Sequence, residues 1–272
     1  MQFGLCTISN RDESAGTVVE RAAEAGYDGV EIWGKDPHIG DGSPERCEAI
    51  RSDAADHTLT VGVYGSYLRP GTERFDDERD HELAVARRLG ADVIRVWAGD
   101  DDYEERTEAQ WEAAVADLRE LVDAAADEGL AVTVEHHRGT LTSSAEGARR
   151  LIEAVDHENC GLNWQPPFQR AADEVLAEAR DLAPLSNNLH VQAVPEPDIA
   201  DRCLLADAYF DLPAILAVFD DAGFDGWVNV EFVTSDVDYE TAIAGDLEYL
   251  RSIRMNSNLT ATRRTFHSYG RL

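Results

Sequence analysis

Eight short runs of β-branched and other apolar residues, each followed by a longer acidic stretch of helical period, recur along the chain. No other feature of the sequence restricts its fold so much. The runs fall at residues 2–9, 29–34, 60–67, 93–99, 131–137, 160–166, 187–192 and 227–233. Helical patterns lie at 15–25, 44–57, 77–89, 108–128, 144–155, 172–182, 212–222 and 239–253. Strands that alternate with helices predict βα units and a parallel sheet. Eight such units in a chain of 272 residues are the number that closes a (β/α)8 barrel, an α/β fold of one domain. An open doubly wound sheet is the alternative. It is disfavoured because residues 9–16, after the first run, carry only Gly16 and no glycine-rich phosphate loop. No Pro/Ser-rich linker divides residues 1–253. Residues 254–272 form a separate tail with no acid but with Arg254, Arg263, Arg264, His267 and Arg271. A frayed terminus and a docking segment for an acidic neighbour or second subunit are both open for it.

Alternation along the last four strands is the next most informative feature, because successive strand residues face opposite sides. Val132, Val134, Leu162, Trp164, Leu189, Val191, Val228, Val230 and Phe232 share the parity expected to face the helices. The other parity carries Thr133, Glu135, His137, Asn163, Gln165, Asn188, His190, Gln192, Asn229 and Glu231. Charged groups toward a barrel axis are costly unless they pair or bind a metal. Glu135, Gln165, His190 and Glu231 stand near the carboxyl ends of four consecutive strands, where barrel enzymes carry their sites. This mixed N/O set suits one divalent ion: Mn, Mg, Co or Zn. The competing reading pairs Glu135 with Arg138 or Arg95 and holds His190 on backbone carbonyls.

Five segments also resemble a known family: AGYDGVEIW (25–33), LGADVIRVWAG (89–99), LAVTVEHHRG (130–139), NLHVQ (188–192) and GWVNVEF (226–232). Their order and spacing resemble the xylose isomerase-like TIM-barrel superfamily, the sugar phosphate isomerase/epimerase group. The resemblance implies Glu135, His190 and Glu231 as metal ligands on strands five, seven and eight. The family's strand-six aspartate is replaced, since the chain reads Asn163-Trp164-Gln165-Pro166-Pro167-Phe168, with Gln165 in the ligand's place and Phe168 in that of a following histidine. An amide oxygen can ligate a hard cation, but without charge it holds the ion less firmly.

The implied activity is a metal-dependent isomerase or epimerase of a small sugar, polyol or keto acid. Glu135 and Glu231 would be the two bases that pass a proton through an enediolate. A dehydratase of the inosose type and a barrel that binds sugar without turnover are alternatives. An apurinic-site endonuclease fits less well, for it needs more histidine ligands and a DNA-binding rim. His137 is expected to orient a substrate hydroxyl. Glu31 and Trp33, on the inward parity of strand two, are expected to bind sugar hydroxyls and a ring face. Arg95 and Arg202 are candidates for an anionic group. Trp97 fits a sugar platform or the core equally.

Composition narrows the partners. With 24 Lys+Arg against 54 Asp+Glu the net charge is −30, and Lys35 is the only lysine. Such a surface repels phosphate backbones and anionic lipid, which argues against nucleic acid and membranes and for a small-molecule substrate, with a homo-oligomer open. Abundant acid with almost no lysine resembles the bias of salt-loving archaea. Cys6, Cys47, Cys160 and Cys203 form no CxxC pair, and no stretch of eighteen apolar residues occurs, so a reducing cytoplasm is expected.

Overall fold

A computed structural model describes the backbone of residues 1–268 and the side chains of residues 1–255. The strands are β1 (Gln2–Cys6), β2 (Gly29–Trp33), β3 (Thr60–Gly65), β4 (Val93–Val96), β5 (Ala131–Glu135), β6 (Cys160–Trp164), β7 (Ser186–Val191) and β8 (Trp227–Val230). Each pairs in parallel with the next, and β8 pairs with β1, so the sheet closes into a barrel. The helices are α1 (Ala15–Ala25), α2 (Pro44–Asp56), α3 (Phe75–Leu89), α4 (Glu108–Asp127), α5 (Ala145–Val155), α6 (Ala172–Leu182), α7 (Leu212–Asp221) and α8 (Tyr239–Ser268). The expected (β/α)8 architecture is therefore the observed one.

Local chemistry sets the boundaries. Ser14, Ser144 and Asp211 accept backbone N–H groups at the starts of α1, α5 and α7, and Thr107 with Gln110 makes a reciprocal capping box at α4. Most strands end earlier than the sequence patterns suggest. Trp97, His136, His137 and Gln165 continue the alternation, but lie past the last sheet pairing, in the loops at the carboxyl-terminal mouth. Phe232 is a correction of the same origin. Because β8 stops at Val230, Phe232 turns to the cavity at the mouth and not to the helices. Helix α8 runs to Ser268, past residue 253, so the first part of the basic tail continues the last helix. Arg263, Arg264, His267 and Arg271 lie outside the described side chains.

The outward parity of the strands is otherwise as expected: Val132, Val134, Leu162, Trp164, Leu189, Val191, Val228 and Val230 are all fully buried beneath the helices. Inside the barrel, the amino-terminal end is filled by Val63, Val93 and Trp227. Glycine makes room for that indole, since a Cβ at Gly29 would lie 2.6 Å from it and one at Gly62 would overlap it. Above it an amide ladder crosses the axis. Asn188 donates to Asn163 (2.9 Å), and Asn229 donates to Asn188 (3.1 Å). These layers make a solid floor, and ionisable groups begin only above it.

Candidate metal and acid-base site

At the mouth a cavity of about 470 Å³ opens above this floor, with Glu135, Gln165, Gln192 and Glu231 at its base. β5, β7 and the residue that follows β8 bring Glu135, His190 and Glu231 together: one ligand atom from each lies within 4.8 Å of the others. His190 is held by its far nitrogen. Its Nε2–H donates to Glu31 Oε2 at 2.8 Å, since a carboxylate can only accept. That tautomer leaves a lone pair on Nδ1, which is buried without a hydrogen-bond partner, 3.6 Å from Glu231 Oε1. A histidine tied behind by a carboxylate and bare in front is how metal-ligating imidazoles are commonly set.

The charges also fit a dication. Glu31, Glu135 and Glu231 face one buried guanidinium, Arg95, which bonds Glu135 and, through Nε, Glu31 at 3.1 Å. Two negative charges are left over, and one divalent ion cancels them with His190 neutral. Without an ion, protons fill part of that role. Burial would lower the His190 imidazole, but Glu31 and Glu231 carry it up to about 9. Burial raises the Glu231 carboxyl to about 7, with the Glu135 charge adding to it against His190 and Arg95.

The two carboxylates differ. Glu135 receives three side chains: Arg95 and the Trp97 indole (2.6 Å) on Oε2, and Gln165 Nε2 on Oε1 at 3.2 Å. Burial would raise its carboxyl, yet Arg95 and His190 hold it below the usual range. Glu231 accepts one side-chain bond, from Gln192 Nε2 to Oε2 at 2.7 Å, and turns Oε1 toward His190. Of the competing reading, Glu135 does pair with Arg95, but Arg138 turns to Gln169 and His190 is held by Glu31 instead of by backbone carbonyls, while Glu135, His190 and Glu231 still converge.

The remaining expected residues separate into two levels. Arg202 and His137 are on the cavity wall, with Arg202 over the Phe168 and Phe232 rings and His137 stacked on Trp97 at 4.3 Å. The structure does not bring Glu31, Trp33 or Arg95 to that wall. Glu31 and Arg95 pair beneath it, and the Trp33 indole donates to the Tyr67 hydroxyl at 2.9 Å. Gln165 is at the cavity base, its Nε2 on Glu135 and on the His136 carbonyl (2.9 Å) and its Oε1 accepting from Gln192 at 3.0 Å.

Several residues at the site carry little or no signal in the sequence. Gln192 shares the inward parity of His190 two residues on, which was its only signal. Tyr67 and Arg170, also on the wall, lie in loops where alternation says nothing. His136 takes the opposite parity to Glu135 and is buried against Glu178 of α6, at 3.6 Å.

A 3-dehydroshikimate dehydratase of Bacillus anthracis is 28% identical over 207 residues, covering 73% of this chain and 74% of that one. An inosose dehydratase of Yersinia enterocolitica is 23% identical over 174 residues, covering 57% of this chain and 57% of that one. The chain thus spans little more than half of that second relative. Among solved structures, the IolI protein with a bound zinc atom superposes with a TM-score of 0.75 at 18% identity, covering 93% of this chain and 98% of that one. Residues 19–253 match the sequence profile of the family described as xylose isomerase-like TIM barrel, and the chain belongs to that family.

Proposed function

We propose that the protein is a divalent-metal-dependent dehydratase of a hydroxylated ring ketone that carries a carboxylate. Glu135, His190 and Glu231 hold the ion, and Glu231 is the acid-base group. The observation that carries this reading is the unequal treatment of the two carboxylates. Epimerisation between two bases asks Glu135 and Glu231 each to give and take a proton. Glu135, with Arg95, Trp97 and Gln165 bound to it, is held as a carboxylate. Glu231, with a single side-chain bond from Gln192 on Oε2 and Oε1 turned to His190, is the carboxylate left free to exchange a proton.

A divalent ion, when bound, supplies electron withdrawal from the substrate's carbonyl oxygen and so acidifies the adjacent C–H. The Glu231 carboxylate takes that proton. It then returns it to the hydroxyl on the next carbon, so that the C–H and C–O bonds break, a C=C bond forms and water leaves. Glu135 keeps its charge throughout, anchored by Arg95. Arg138, Arg170 and Arg202 on the wall supply the binding free energy for a carboxylate. The dehydratase relatives support the same reaction class.

The test is turnover of 3-dehydroshikimate and of a neutral inosose with Mn²⁺, followed by ultraviolet absorbance of the unsaturated product. Loss of water from the acid in preference to the neutral ring ketone is expected, with Glu231→Gln lowering kcat by at least about 100-fold. Exchange of the α-proton without loss of water would replace this reading with epimerisation.

A further inference from the structure

Between the two carboxylates runs an unbroken chain of amides. Arg202 Nε donates to Gln192 Oε1 at 2.7 Å. Gln192 Nε2 donates both to Glu231 Oε2 (2.7 Å) and to Gln165 Oε1 (3.0 Å). Gln165 Nε2 in turn donates to Glu135 Oε1 (3.2 Å) and to the His136 carbonyl (2.9 Å). Gln165, Gln192 and both glutamates are buried.

The ends of this chain fix its sense. A guanidinium can only donate, so it must meet the oxygen of Gln192. A carboxylate can only accept, so it must meet an amide NH₂. With Arg202 at one end and Glu231 and Glu135 at the others, one assignment satisfies every bond: the oxygen of Gln192 faces Arg202, and the oxygen of Gln165 faces Gln192. Reversing either amide sets oxygen against oxygen at one end and N–H against N–H at the other, and an unpaired buried polar group costs about 1–3 kcal/mol.

On this basis we infer that Gln165 and Gln192 act together as a strap of positioning residues that aims Glu135 and Glu231, and that Gln165 gives no ligand to the ion because its oxygen is committed to Gln192. The inference rests on the metal-dependent reading above and deepens it. The site is a three-ligand site, in which the position corresponding to a ligating aspartate has become a donor that fixes a neighbouring ligand. Arg202, in the loop after β7, reaches Glu231 through Gln192, so the residue that meets the substrate's anionic group also steadies the acid-base group.

The experiment measures Mn²⁺ affinity by electron paramagnetic resonance of the free ion for the wild type, Gln165→Ala, Gln192→Leu, the double variant and Glu231→Gln as the ligand-loss reference. Groups that orient ligands typically contribute about 10–100-fold to affinity. Each single variant is expected to bind about 10-fold more weakly, and less weakly than Glu231→Gln. The double variant is expected to match the weaker single variant, because cutting a strap twice costs what one cut costs. A double variant weaker by the product of the two losses overturns the inference. So does Gln165→Ala falling as far as Glu231→Gln while Gln192→Leu binds like the wild type, which would make Gln165 a ligand.

A second measurement needs no ion. Side-chain amide resonances of Gln165, followed by NMR in the ion-free protein, should show slow solvent exchange that is lost in Gln192→Leu, with backbone amides of β6 unchanged. Protection of Gln165 that survives Gln192→Leu overturns the strap. If the wild type binds no Mn²⁺ at all, the dehydratase reading fails and this exchange measurement alone decides the inference.

Discussion

His190 stands between two carboxylates, and its two nitrogens do different work: Nε2 is fastened to Glu31, and Nδ1 is left without a hydrogen bond 3.6 Å from Glu231 Oε1. An ion that takes Nδ1 must displace a proton from an imidazole raised to about 9, and one that takes Glu231 meets a carboxyl raised to about 7. Apparent Mn²⁺ affinity is therefore expected to climb with pH by about tenfold per unit from pH 7 to 9, and more steeply below pH 7. Titrations at four pH values check this, and a flat profile contradicts it. Stability of the ion-free protein runs the other way. The raised pKa of His190 contributes stability that is fully present below its ordinary value of 6.5 and is lost as pH rises through about 9. Glu231 adds to the loss, since a carboxyl raised from 4.5 to about 7 destabilises the fold as it ionises. Glu31 is the opposite case. Burial would raise it, but His190 and Arg95 hold it down at about 2, so its contribution fades only as pH falls below its ordinary 4.5. The melting temperature of chelated protein should fall from pH 6 to 9, and Mn²⁺ should recover most of that loss.

At the scale of elements, the strand parity of Glu135, Gln165, His190 and Glu231 was legible because a closed parallel barrel fixes which residues point inward. The partners of those residues were not. Whether Gln165 turns its oxygen or its NH₂ toward Glu135 depends on Gln192 and Arg202, which come from another strand and its loop. Strand ends are blurred in the sequence for a related reason: Trp97 and His137 keep the polar-apolar rhythm after the sheet pairing has stopped, and they stack on each other at the cavity instead. The other end of the barrel was silent in the sequence, because an inward tryptophan and a glycine on another strand show no local sign of their contact. Gly62→Ala would drive a Cβ into the Trp227 indole. Overpacking of this kind costs about 1–3 kcal/mol. Calorimetry should show a lower melting temperature, with the affinity for Mn²⁺ unaltered because the amide ladder lies between. An unchanged melting temperature would mean that Trp227 is not the plug described.

For the whole molecule the dominant quantity is the net charge of −30. Exposed pairs such as Arg51 with Glu48 and Arg149 with Glu153 are local and few beside the acids they leave unpaired. Raising NaCl from about 0.1 M to about 1 M shortens the Debye length from about 10 Å to about 3 Å, so self-repulsion should weaken and the melting temperature rise. A falling melting temperature over that range would assign the balance to exposed ion pairs. Among the described residues no helix is long and apolar enough to cross a membrane.

The proposed chemistry depends on one ion held by three residues, and crystals soaked in Mn²⁺ and measured at the manganese absorption edge test that directly. The prediction is a single anomalous peak about 2.0–2.3 Å from a carboxylate oxygen of Glu135, Nδ1 of His190 and a carboxylate oxygen of Glu231, with Gln165 still turned to Gln192. A barrel mouth with no peak, or a peak that bypasses His190 Nδ1, would contradict it.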